Sequence, residues 1–140
     1  MLWHKTTLLI RTGKQGLHPF TQQVNQQIRA WSAREGMAFL FLQHTSASLV
    51  INENFDPTAQ EDLERFFEHL APEGEDWYMH TLEGRDDSPS HMRSMVTPVS
   101  LSIPIEDGRL ALGTWQGLYL AEHRRRVSQR QVLLRVLAIE

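Results

Sequence analysis

Two histidines and three carboxylates fall within one short stretch, His80-Thr81-Leu82-Glu83-Gly84-Arg85-Asp86-Asp87-Ser88-Pro89-Ser90-His91, between an apolar-periodic segment and a short helical one. Imidazole nitrogens and carboxylate oxygens are the side-chain donors that hold divalent transition metals, and imidazole is also a general base near neutral pH. His80 and His91 are too far apart for the helical spacing of H-E-x-x-H, so a loop has to fold back to bring them together. With His44 they would form a set of three histidines, and three protein ligands with an open position is the pattern of a catalytic zinc. Asp87 is the candidate catalytic carboxylate beside them. The same residues also have a purely structural reading. Asp87-Ser88-Pro89-Ser90 reads as a helix cap followed by proline in the first turn. His44-Thr45-Ser46-Ala47-Ser48 reads as a strand end with hydroxyl-stabilised turns.

Three further groups have polar residues at element ends. Asn52-Glu53-Asn54-Phe55-Asp56, with Asp62 beyond it, offers amides and carboxylates able to bind a metal or the ammonium and hydroxyl groups of a ligand. Asp56 is accounted for as a helix cap, whereas Asn52 and Glu53 follow directly on an apolar strand. Asp62 borders an apolar stripe, and a solvated helix carboxylate accounts for it too. In Gly113-Thr114-Trp115-Gln116-Gly117, Trp115 is suited to stacking on a planar ligand, to anchoring a subunit contact or to a core position, and Gln116 beside it favours a pocket or interface. Arg124-Arg125-Arg126 with Arg130 can grip phosphate through paired hydrogen bonds, or can be a solvated charge run between strands.

The elements that must position these groups follow from periodicity. A strand is expected within Leu2 to Thr12, ended by Gly13 and Gly16. Phe20, Val24, Ile28 and Trp31 recur at helical spacing, which predicts a helix from about Pro19 to Arg34. The continuous apolar run Met37 to Leu42 suits a central strand buried on both faces. Leu49-Val50-Ile51 suits another short strand. Asp56-Pro57 opens a second helix with an N-cap and a proline in the first position, its stripe carried by Leu63, Phe66, Phe67 and Leu70. The polar stretch Glu75 to Ser90 lacks periodicity, and long connections of that kind inside a compact domain are often functional. Val99, Leu101 and Ile103 alternate, Asp107-Gly108 marks a hairpin, Thr114 to Ala121 reads as an extension of the return strand, and Gln131 to Ile139 supplies the last strand. The sum is a single α+β domain, residues 1–140, with two main helices on a mostly antiparallel sheet.

Composition removes several classes of function. The chain has 140 residues, 41% hydrophobic and 22% charged, with a net charge of −3, which fits a folded domain with no global attraction for nucleic acid or anionic membrane. No apolar run approaches the roughly 18 residues of a membrane span, and the N-terminus does not read as a signal peptide. There are no cysteines, hence no thiolate catalysis or cysteine metal site; a cytoplasmic protein is expected.

Taken in order, His44 to Ser48, Asn52 to Asn54, the His80–His91 loop and Gly113 to Gln116 resemble the YjbQ-type family, also called secondary thiamine-phosphate synthase, over about Lys5 to Ile139. The resemblance implies a compact α+β fold packing as a trimer around a threefold axis, with Trp115 and Gln116 near subunit contacts. It also implies a metal bound through His44, His80 and His91. Asn52, Glu53, Asp56, Asp62, Asp87 and Ser88 match its polar motif positions. The family name implies coupling of a pyrimidine methyl diphosphate to a thiazole phosphate. Two readings follow: an enzyme, transferase or metal-dependent hydrolase, acting on a phosphorylated small molecule, or a non-catalytic trimeric module binding a metal or small ligand. Imidazole ligands favour zinc or a similar ion over magnesium.

Overall fold

A computed structural model describes residues 1–140. Eight strands and three helices occur in the order β1 (Leu2–Thr12), β2 (Gly16–Pro19), α1 (Thr21–Ala30), β3 (Gly36–Leu42), β4 (Ala47–Glu53), α2 (Pro57–Leu70), α3 (Asp87–Met95), β5 (Ser100–Glu106), β6 (Arg109–Leu110), β7 (Gln116–Glu122) and β8 (Ser128–Ala138). All strand pairs are antiparallel. They form two sheets, of order β1-β8-β3-β5-β6 and β2-β7-β4. No helix is long and apolar enough to cross a membrane.

The main core lies between the sheets. Leu8 and Ile10 of β1, Ala38, Leu40 and Leu42 of β3, and Val132, Leu134 and Val136 of β8 point inward from the larger sheet. They meet Leu49, Leu118 and Leu120 of the smaller sheet and Val24 and Ile28 of α1. Strand β7 is buried on both faces because the period of two sends Leu118 and Leu120 into this core and Tyr119 and Ala121 to the opposite side. There Leu63 and Phe67 of α2 cover them.

Local signals account for most boundaries. Asp56 caps α2 by accepting from the Thr58 N–H at 2.9 Å, with Pro57 in the first turn. The β5–β6 turn has positive φ at Asp107 (52°) and Gly108 (80°), the pair of left-handed residues a tight hairpin requires. Gly36 starts β3 at φ 155°, where a Cβ would sit 2.0 Å from the Leu137 carbonyl oxygen, so close strand approach requires glycine there.

Four expectations change. Helix α1 is shorter than the periodic segment, ending at Ala30, whereas the short helix expected at the end of the polar loop forms as α3. Thr114 to Ala121 does not extend the hairpin: the chain leaves the larger sheet after β6, and β7 is the central strand of the smaller one. Strand β3 is central, between β8 and β5, but buried on one face only. Met37, Phe39 and Phe41 project from the other, Phe39 and Phe41 being 37% and 47% exposed. Phe66 and Leu70 of α2 are likewise exposed, leaving Leu63 and Phe67 to make its contact.

Candidate metal centre

Helix α3 begins one residue earlier than a cap at Asp87 would place it. Asp86 is the N-cap residue and Asp87 the first helical one. Asp87 and His91 are therefore four residues apart on one helix and share a face. The connection from Pro72 to Asp86 has no regular structure and carries His80 back against that face. His80 Nε2 lies 2.6 Å from Asp87 Oδ2, and His91 Nε2 lies 3.2 Å from Asp87 Oδ1. One donor atom from each residue lies within 4.8 Å of the others.

The hydrogen bonds around the cluster fix which atoms are free. His91 Nδ1 is 2.7 Å from the Thr45 carbonyl, which can only accept, so Nδ1 carries the proton and Nε2 of the neutral ring keeps its lone pair. Asp87 is 1% exposed. Its Oδ1 accepts from Arg124 Nη1 at 2.8 Å, but its Oδ2 is buried with no hydrogen-bond partner, because the short approach of His80 is not aligned for one. A buried carboxylate with an imidazole nitrogen beside each of its oxygens matches the donor set of a two-histidine, one-carboxylate metal centre. The Thr45 carbonyl behind His91 and the arginine behind Asp87 are the outer partners that such ligands ordinarily have.

Arg124 is not part of a solvated charge run. It is 4% exposed, and its guanidinium donates to Asp86 Oδ2 at 3.0 Å, to Asp87 Oδ1 and to the Glu83 carbonyl at 2.8 Å. The main-chain N–H of Arg125 adds a bond to Asp86 Oδ2 at 2.9 Å. Burial alone would raise the Asp86 carboxyl, but these arginine contacts outweigh it and hold Asp86 below the usual carboxylate range. The loop between β7 and β8 thus clamps the start of α3. Within the run, only Arg125 and Arg126 are exposed, and Arg125 pairs with Glu73.

His44 stands apart from the cluster. Its Nε2 accepts from the Gln131 N–H at 2.9 Å, which consumes the lone pair a metal would need, and its Nδ1 is 3.3 Å from Arg130 Nη1. Partial burial and the Arg130 charge lower its pKa. Arg130 is itself committed to the buried carboxylate of Glu122, with Nε–Oε1 at 2.8 Å, and to Ser46 Oγ at 2.9 Å. The three-histidine set is replaced by His80, Asp87 and His91. In sequence Asp87 reads as a catalytic carboxylate beside the histidines rather than as a ligand; its four-residue spacing from His91, just after a helix start, was the signal that pairs them.

The remaining candidates lie elsewhere. Asn52 Oδ1 and the Glu53 carboxylate turn back onto neighbouring main-chain N–H groups, and Asp56 caps α2. Asp62 is exposed on α2. Ser88 follows Asp87 in the first turn of α3, half-buried. Trp115 is 57% exposed with its ring edge against Phe55, and Gln116 Oε1 accepts from the Gly113 N–H at 2.8 Å.

One residue that sequence reasoning did not single out is His123. It is 1% exposed, bonded through Nε2 to Ser48 Oγ at 2.9 Å, and edge-on to Phe67. Burial, then the Arg93 charge, pushes its pKa down to about 3. An unfolded histidine takes up its proton near pH 6.5, whereas this one does not until about pH 3. Stability from this group is therefore complete above pH 6.5 and falls as pH drops through that window, roughly 2 kcal/mol being lost by pH 5. Asp86 and Glu122 act in the same direction at lower pH. Burial would raise Glu122, but bonds from Arg130, Thr12 and the Arg124 N–H hold it down. Urea unfolding at pH 7 and pH 5 is expected to show that loss in wild type and a smaller one in His123→Gln. Equal losses in the two proteins would refute a buried neutral imidazole.

The profile of the family described as UPF0047 protein YjbQ-like matches residues 5–139. The chain belongs to that family. It is 45% identical over 133 residues to UPF0047 protein sll1880 of Synechocystis, covering 95% of this chain and 90% of the relative. It is 41% identical to UPF0047 protein YjbQ of Escherichia coli O157:H7, covering 94% and 96%. Among solved structures, the conserved hypothetical protein TT1486 of Thermus thermophilus superposes with a TM-score of 0.83 at 36% identity, over 94% of this chain and 99% of that one. A YjbQ/UPF0047-family protein of Clostridium acetobutylicum superposes with a TM-score of 0.76 at 29% identity, over 98% and 100%. The YjbQ fold thus extends over nearly the whole chain.

Proposed function

We propose that this YjbQ protein is a metal-dependent enzyme acting on a phosphorylated small molecule, with a zinc-type divalent ion held by His80, Asp87 and His91. The observation that carries this reading is the buried Asp87 carboxylate, with His80 Nε2 2.6 Å from its Oδ2 and His91 Nε2 3.2 Å from its Oδ1. Two imidazoles and one carboxylate suit zinc and its neighbours better than magnesium, which prefers an all-oxygen shell. Such an ion polarises a phosphoryl or carbonyl oxygen, or supplies hydroxide at neutral pH. Thr45 holds His91 in the ligating tautomer, and Arg124 holds Asp87. The transfer implied by the thiamine-phosphate resemblance and the hydrolysis of a phosphate ester both belong to this class.

The same reading includes a homotrimer. The outer face of the larger sheet carries Trp3, Leu9 and Phe39, all exposed, with the Trp3 and Phe39 rings 6.2 Å apart. An apolar sheet face of this kind is ordinarily covered by another surface, and the resemblance supplies the threefold partner.

Elemental analysis of tag-free protein tests the centre. About one zinc-type ion per chain is expected in wild type and in His44→Ala, and none in His80→Ala. Light scattering on the same preparations is expected to give three chains per particle. Wild type that stays metal-free after incubation with zinc, cobalt and manganese would refute the metal reading, and the surviving alternative would be a non-catalytic ligand-binding module.

A further inference from the structure

His91 is also a wall of a groove that the metal reading leaves unused. It runs between the end of β3 and α3, is lined by Phe41, Leu42, His91, Met95 and Val99 among others, and has a volume of about 530 Å3. That lies within the range of small-molecule sites. Met95 is one turn after His91 on α3, 80% exposed, and Phe41 is 47% exposed across from it. The polar groups along the groove are largely spent within the protein. Ser94 Oγ bonds the Ala47 carbonyl, His44 Nε2 bonds the Gln131 N–H, and the Thr45 carbonyl bonds His91 Nδ1. What lines the open space beside His91 is mainly carbon and sulfur.

Resting on the metal reading above, we propose that the substrate of this site couples a metal-binding anionic headgroup to an apolar body, and that the body lies in the groove along Phe41, Met95 and Val99. A headgroup seated on an ion at His80, Asp87 and His91 leaves the rest of the molecule beside His91, where the groove begins. Binding energy from such a non-reacting body is what an enzyme draws on to hold the reacting end in place. A substrate that is polar throughout would leave these carbon surfaces in water and gain nothing from them.

The test uses the full chain loaded with Co(II), whose visible absorption reports a ligand entering the metal's coordination. Methylphosphonate, butylphosphonate and phenylphosphonate are titrated against it. Affinity is expected to rise about twofold to fourfold per added methylene, with phenylphosphonate also tighter than methylphosphonate. The ratio of butyl to methyl affinity is expected to fall several-fold in Met95→Gln. Equal affinities for the three phosphonates, or a tail preference unchanged in Met95→Gln, would overturn the groove while leaving the metal centre standing. A wild type that develops no Co(II) spectrum would remove the metal reading and this inference together. Loss of the assembled state in Met95→Gln by light scattering would mean that a second copy of the chain fills the groove, which also overturns the proposal.

Discussion

Asp87→Ala is expected to empty the metal centre and to lower stability by about 3 kcal/mol, two effects that other ligand substitutions separate. Asp87 is the buried member of the cluster, and it is also the partner of a buried guanidinium, Arg124 Nη1, at 2.8 Å. Removing it takes a ligand from the proposed ion and half the counter-charge from Arg124. Asp86 still holds the other side of that guanidinium, which keeps the loss near the lower end of what breaking a buried pair costs. His80 has a side chain 58% exposed and touches the cluster only through its approach to Asp87, so His80→Ala is expected to lose the metal at little cost to the fold. Asp87→Asn keeps the shape and an acceptor for Arg124 but lacks the carboxylate charge, and should fall between the two. Metal content of the three variants and wild type, and urea unfolding of their metal-free forms, check this. An Asp87→Ala protein that still binds about one ion per chain would refute the cluster as the metal centre. One that matches wild-type stability would mean that Asp86 alone satisfies Arg124.

Glu122→Ala should lower stability by about 3–5 kcal/mol, with no direct effect on the three proposed ligands. The Glu122 carboxylate is 1% exposed and accepts from Arg130, the Thr12 hydroxyl and the Arg124 N–H. Its removal leaves the Arg130 guanidinium, itself 6% exposed, without a counter-charge in a low-dielectric setting. Three elements lose a common anchor: β1 through Thr12, β7 through Glu122 and β8 through Arg130. Replacing both charged partners, in Glu122→Leu with Arg130→Met, is expected to recover much of the loss, because no unpaired charge then stays buried. Denaturant unfolding of the single and double variants decides it. A double variant as unstable as Glu122→Ala would show that the geometry of the pair, rather than the stranded charge, is what matters.

Sequence alone determined the features set by a few neighbouring residues. The alternation of Leu101 and Ile103 in β5, the Asp56-Pro57 start of α2 and the Asp107-Gly108 hairpin follow from backbone sterics and local hydrogen bonding, which act whatever the rest of the chain does. Family membership and the gathering of histidines and carboxylates in the His80–His91 loop were legible for the same reason, being carried by residue types and order.

Tertiary structure decided what depends on groups far apart in the chain. The Gln131 N–H, 87 positions from His44, removes that histidine from the ligand set, and no local pattern signals where a main-chain donor will arrive. Arg124 reads in sequence as one of three equivalent arginines; its burial against Asp86 and Asp87 depends on how the β7–β8 loop meets the start of α3. The run ending at Glu122 leaves the hairpin for the second sheet because β2 and β4 offer it hydrogen bonds on both edges and the core and α2 cover its two faces. The proposed metal centre depends on both levels: four-residue spacing puts Asp87 and His91 on one helical face, and only the folded loop brings His80 to the same carboxylate.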